Sequence, residues 1–232
     1  MGLSAFQAWL QQLDLQSLWD ILISAAAALL CITFHETCHG LTALWLGDPT
    51  AKNAHRLSLN PLRHVDWAGL VMLAIVHFGW AKPVPVNAAN FKNPKLGMAL
   101  TALAGPVSNL LLAYVGYVCY FFCFAAYQLT ASGVLSFVLR FFYLLVVIST
   151  GLAVFNLFPI PPLDGSKVLF SLLPDRAYFS LMRYERYGSL LLIALLLTGV
   201  LNVPLQFLRG GLLDLLTPAA QWAYPLALRI FT

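Results

Sequence analysis

Apolar residues in this sequence come in long runs, and the length of those runs limits the fold more than any other feature. Four of them, at about 18–46, 95–129, 134–158 and 187–208, reach the roughly 20 residues needed to cross a hydrocarbon core of about 30 Å. Such a core offers the backbone no water, so a spanning segment must satisfy its own N–H and C=O groups, which a single helix does. The remainder does not resemble a soluble domain. The chain is 60% hydrophobic and 9% charged with a mean hydropathy of +0.80, whereas soluble domains carry about 25% charged residues. The expected fold is an all-α polytopic membrane protein: one domain over 1–232, with about four transmembrane helices. The tail, 210–232, contains Asp214, Pro218 and Pro225 and reads as interfacial or re-entrant.

The charges set an orientation. Segments 47–95 and 159–186 hold ten of the thirteen Lys and Arg residues, and the short connection near Gly133 holds none. By the positive-inside rule both segments face the cytoplasm, so the protein belongs in a cell membrane with both termini outside. This distribution also accounts for the net charge of +4 without a nucleic-acid partner. The N-terminus lacks a basic stretch followed by a short apolar one and a cleavage site, so the first run reads as a retained span. Cys31, Cys38, Cys119 and Cys123 lie in apolar runs without close pairing and read as small buried hydrophobes, with no disulfide expected.

Between the runs the sequence breaks up. Trp67 to Phe78 is apolar for about 12 residues, too short to span, and fits a re-entrant or interfacial segment. From Gly79 to Asn87 Pro and Val alternate. That suits an extended edge strand in which Val84 and Val86 keep amides free for a neighbouring strand or a substrate. In Asn156 to Gly165, Pro159, Pro161 and Pro162 cannot continue a helix, and broken backbone at membrane depth must be buried in protein or line a watery cavity. His55, His64 and His77 match no ligand spacing and read as loop or interface histidines. The aromatic residues crowding 117–143 read as lipid-facing and helix-packing side chains.

The chemistry is concentrated in the first run. His35 and His39 are four residues apart, so on a helix they stack on one face about 6 Å apart along the axis and can close on one metal ion. Glu36 lies beside them, completing the HExxH pattern in which zinc acidifies water and a carboxylate takes the proton. Ionisable groups in an apolar helix are costly and functional by default. Counting from Gly47, the metal would sit about 12 Å inside the helix end, so water must reach it through a cavity. Two imidazoles leave a catalytic zinc short of its usual third protein ligand. Asp20, Asp164 and Asp214 are the acids within reach of the membrane. Asp20 is roughly 22 Å from His35 along the helix, Asp214 falls in the tail, and Asp164 ends the broken segment on the side of the first helix's C-terminal half, the alternative for it being a helix N-cap. Asn156 could donate to an oxyanion or link two helices.

His35-Glu36-Thr37-Cys38-His39 with Ala43, the Gly79–Asn87 segment, Ala104-Gly105-Pro106 with Asn109, and Phe155-Asn156-Leu157 through Pro162-Leu163-Asp164-Gly165 together resemble the site-2 protease family of intramembrane zinc metalloproteases. These pieces fall in the family's order over most of 31–170, and with no room for a PDZ or CBS domain the sequence resembles the compact branch of that family. The resemblance implies that His35, His39 and Asp164 hold Zn2+, that Glu36 is the general base, and that Asn156 binds substrate backbone or the oxyanion. It further implies transmembrane protein substrates cut within the bilayer. Two rivals stand beside this reading. One is a metal or proton transporter, against which weighs the absence of an internal repeat. The other is an inactive homologue that only binds membrane helices, which would most simply have lost Glu36.

Overall fold

The first three apolar runs are helices. The computed structural model describes residues 15–69 and 81–231. Helix α1, Leu15–Trp45, closes with Gly47 at φ +104°, its N–H on the Leu44 carbonyl and the Asp48 N–H on the Ala43 carbonyl. That pair of bonds satisfies two of the carbonyls a helix end leaves open, and glycine takes the left-handed position without a Cβ penalty. A single turn, α2 (Thr50–Asn53), follows. Helix α3, Pro94–Thr130, opens with the Asn93 side chain accepting from the Leu96 N–H and with Pro94 at the first position, where a missing N–H is harmless. Two residues later α4, Gly133–Leu157, returns antiparallel.

These three helices form the body of the protein. Gly116 of α3 admits α4: a Cβ there would lie 3.0 Å from Val146 Cγ2 and 3.3 Å from Leu145 Cδ2. Helix α1 seals the other side through Ala27 and Cys31, which pack with Leu145 under Leu30, Leu112 and Phe141. Toward the far end of this layer Asp20 of α1 pairs with Arg140 of α4. Leu18–Trp45, Pro94–Thr130 and Gly133–Asn156 are each long and apolar enough to cross a membrane.

After α4 the chain turns through a proline segment with a cis Pro161–Pro162 bond and forms α5, Asp164–Ser171, against α3. Helix α6, Asp175–Leu197, begins where Lys95 of α3 meets the Leu173 carbonyl and the Asp175 carboxylate. The expected fourth span, 187–208, is not one helix. Residues 198–201 form turns with Gly199 at φ +70°, and the apolar end of α6 (Tyr187–Leu197) meets the following helical pair, Asn202–Phe231, at 87°. The apolar run hides the break because hydropathy sums composition and carries no record of backbone direction. Helices α7, Asn202–Gln221, and α8, Ala223–Phe231, then pack back on α3, where the Trp222 indole donates to the Tyr114 hydroxyl.

The expected edge strand is present only as an extended segment. Ala81 forms an isolated antiparallel bridge with Val65, and residues 82–87 run extended without a ladder among the described residues. The lead-in before residue 15, most of the Trp67–Phe78 stretch, His77, Gly79 and Trp80 lie outside the described residues.

Candidate metal centre

Helical spacing places His35 and His39 one above the other on α1, with ring centroids 4.4 Å apart and planes at 89°. Both side chains are buried, as is Asp164. The space they occupy is made by glycine on α3. A Cβ on Gly105 would sit 2.5 Å from His39 Cε1 and Nε2 and 2.6 Å from His35 Cε1, so any larger residue displaces the imidazoles. The same stretch of α3 supplies the groups behind the rings. His39 Nδ1 is 2.7 Å from the Thr101 carbonyl oxygen. A carbonyl only accepts, so the proton is on Nδ1 and a neutral ring leaves the Nε2 lone pair facing the centre. His35 Nδ1 lies 3.3 Å from the Asn109 amide nitrogen, and Asn109 is fully buried.

The third group arrives by a tight turn. Leu163 caps α5 without a side-chain bond and Asp164 is its first helical residue, so the N-cap role does not describe this aspartate. Ser166 holds the turn with its N–H and hydroxyl both on the Leu163 carbonyl. Gly165 passes so close to the end of α4 that a Cβ would lie 2.1 Å from the Leu157 oxygen and 2.6 Å from that of Phe158. Gly188 of α6 stacks as closely on Pro161, while Leu163 is packed into an apolar cluster with Leu192 and Leu201. Held in this way, Asp164 Oδ2 stands 3.2 Å from each histidine Nε2, and the two Nε2 atoms are 2.9 Å apart. One donor atom from each of the three residues lies within 4.8 Å of the others, an arrangement that can hold a metal ion.

Glu36, beside His35 on the same helix, reaches the 82–87 segment, where its Oε2 accepts the Val84 N–H at 2.9 Å. The Val84 amide is therefore not free, contrary to the expectation for an open edge. Val84 itself is buried on Gly40, where an added Cβ would meet its Cγ1 at 3.1 Å. Farther along, Asp48 clasps the segment: its carboxylate accepts from the Thr50 N–H and hydroxyl, the Asn87 N–H at 2.7 Å and the Asn90 amide at 2.6 Å. Burial raises the Asp48 carboxyl pKa, while the bonds from Thr50, Asn87 and Asn90 lower it and prevail, holding it below the ordinary carboxylate range.

The other candidates separate from the centre. Asn156 donates from its amide to the Leu152 carbonyl one turn earlier in α4. Asp20 is engaged with Arg140, and Asp214 is exposed on α7. His64 is fully buried and bonds the Ser58 carbonyl through Nε2 at 2.8 Å, so it anchors the 58–64 loop, whereas His55 is exposed at φ 54°. No local pattern in the sequence marks Thr101, Gly105, Val84 or Asn109 as neighbours of the HExxH residues. A buried asparagine in an apolar helix beside a Gly-Pro pair was the one available clue, because a polar group in such a helix needs a partner.

Known proteins resemble this chain. The family model described as peptidase family M50 matches residues 23–199. "Putative zinc metalloprotease YwhC" of Bacillus subtilis (strain 168) is 39% identical over 170 residues, covering 72% of this chain and 76% of that protein. "Putative zinc metalloprotease Rip2" of Mycolicibacterium smegmatis is 31% identical over 183 residues, covering 76% of this chain and 67% of its own length. No solved structure matches. With its buried His-Glu-x-x-His helix, converging aspartate and membrane-length helices, the chain belongs to peptidase family M50, the site-2 protease family, and is a membrane metallopeptidase.

Proposed function

We propose that this protein is an intramembrane zinc endopeptidase that hydrolyses peptide bonds of transmembrane protein substrates, with its centre toward the cytoplasmic side. The observation that carries the reading is the convergence of His35 Nε2, His39 Nε2 and Asp164 Oδ2 in a buried site with no competing cation among the described residues. Ligand atoms around a tetrahedral zinc lie about 3.3 Å apart, and both His–Asp separations are 3.2 Å. His35, His39 and Asp164 would hold the ion and leave a fourth position open, as catalytic sites do. The word zinc in the names of both relatives supports this choice of metal.

Zinc supplies Lewis acidity there, polarising a peptide carbonyl and acidifying water. The chain's own contribution begins with Glu36, the general base, which takes a proton from the attacking water and passes it to the leaving amine nitrogen. The Val84 N–H holds Oε2, so Oε1 is the oxygen open to water. Asn156 spends one amide hydrogen on Leu152 and keeps a second, with its carbonyl oxygen, for substrate backbone or the oxyanion. The cytoplasmic placement rests on the ten cations of 47–95 and 159–186.

Purified protein assayed for zinc content and for cleavage of a model transmembrane peptide tests the reading. Glu36→Gln retains zinc while cleavage falls about 100- to 10,000-fold, the usual range for a lost general base. Asp164→Ala loses zinc and activity together. Normal cleavage by Glu36→Gln would remove Glu36 from the mechanism, and full zinc in Asp164→Ala would place the third ligand elsewhere.

A further inference from the structure

We propose that Asn109 is a positioning residue for the metal: its amide oxygen, turned toward His35 Nδ1, fixes that imidazole with the Nε2 lone pair directed at the centre. The proposal rests on the zinc reading above and concerns a group that does not itself touch the metal.

A metal takes a lone pair from an imidazole nitrogen, so a histidine bound through Nε2 carries its proton on Nδ1 and needs an acceptor there. His39 has one, the Thr101 carbonyl at 2.7 Å. On the corresponding side of His35 the structure places the Asn109 side chain, with its amide nitrogen 3.3 Å from Nδ1. In that orientation the amide donates, His35 Nδ1 accepts, and the ring proton sits on Nε2 among His39 and Asp164, where it excludes a metal. The Asn109 oxygen meanwhile is buried without a hydrogen-bond partner, an uncommon state that costs about 1–3 kcal/mol. Turning the amide by half a turn changes its shape hardly at all and exchanges oxygen for nitrogen. The orphaned oxygen then accepts from Nδ1–H, and the Nε2 lone pair faces the other two donors.

Asn109 is well placed to do this repeatedly. Its backbone is fixed from α4, because the Ser149 hydroxyl donates to the Asn109 carbonyl at 2.8 Å. The side chain is fully enclosed. An amide carries both a donor and an acceptor, so it can serve His35 in both states, donating to the metal-free tautomer and accepting from the metal-bound one.

The test measures zinc affinity by competition with a chelator of known strength, alongside thermal unfolding of the metal-free protein. Asn109→Leu, which cannot accept, binds zinc about 10- to 100-fold more weakly than wild type, the usual effect of losing such a partner. Asn109→Asp, which accepts, holds zinc within a few-fold of wild type or tighter. Should the leucine variant fail to fold, Asn109→Ala takes its place in the comparison. A purely structural asparagine gives the opposite pattern: melting temperatures shift while leucine, alanine and aspartate variants bind zinc like wild type, and that result overturns the proposal. If His35→Ala keeps the affinity of wild type, the zinc site itself is wrong and the proposal falls with it. Loss in His35→Ala combined with no change in Asn109→Leu removes only the role of Asn109.

Discussion

At the scale of single residues, Gly105 leaves the imidazole pair the least room. An added Cβ would meet ring atoms of both histidines at 2.5–2.6 Å, and neither ring can swing aside without leaving the Thr101 carbonyl or Asn109. Gly105→Ala is therefore expected to lower zinc affinity by at least about tenfold, through displaced ligands, with a smaller effect on thermal stability. Gly116→Ala is the control. Its Cβ would press on Val146 and Leu145 at 3.0–3.3 Å, so it destabilises by about 1–3 kcal/mol and leaves zinc binding unchanged. Equal zinc affinity in both variants would mean that the rings have more freedom than their contacts indicate. The histidine pair was legible because two imidazoles one helical turn apart announce themselves within five residues. Gly105 and Asn109 act across a helix interface some 70 positions away, and periodicity within one helix does not register such a contact.

At the scale of elements, the turn before α5 decides whether Asp164 arrives. Gly165 lies against the backbone oxygens of Leu157 and Phe158, which cannot yield as a side-chain tip would. Gly165→Ala is expected to cost about 2 kcal/mol or more and to lose zinc as Asp164 moves, read by metal content and thermal unfolding. Normal zinc content would show that the turn relaxes without carrying the carboxylate. The Asp48 clasp is a separate device. Its carboxyl is held below the ordinary range, so its stabilisation is present above that range and is lost as pH falls through the lowered value. Asp48→Asn removes the charged acceptor at every pH. Protection of the Asn87 amide, its exchange rate relative to an unstructured amide at the same pH, should then be reduced at neutral pH in the variant, and in wild type only at pH below the ordinary carboxylate range. Unchanged protection would assign the segment's order to Val84 packing alone. The three long helices were legible to within a few residues, because their runs stop at Gly47, at Asn93-Pro94 and at the 131–132 turn. The bend at 198–201 was not, since Gly199 interrupts the backbone without interrupting the apolar run.

At the scale of the molecule, His35 and His39 in the second half of α1 and Asp164 at the start of α5 meet at one end of the helical layer, with the first half of α3 behind them. Orientation then determines which compartment meets the centre. In a variant with the four native cysteines replaced, a single cysteine at Lys52 or Lys167 should react with an impermeant thiol reagent only from the cytoplasmic face. One at Ser132, between α3 and α4, should react only from outside. The reverse pattern would invert the protein. One contact at this end also sets a limit on what mutagenesis can see. The Val84 group that holds Glu36 belongs to the main chain, so an alanine scan leaves it intact and scores position 84 by its packing on Gly40 alone. Only Val84→Pro, or an amide-to-ester replacement made by chemical synthesis, deletes the donor. A survey of side chains will therefore pass over the donor that holds the Glu36 carboxylate.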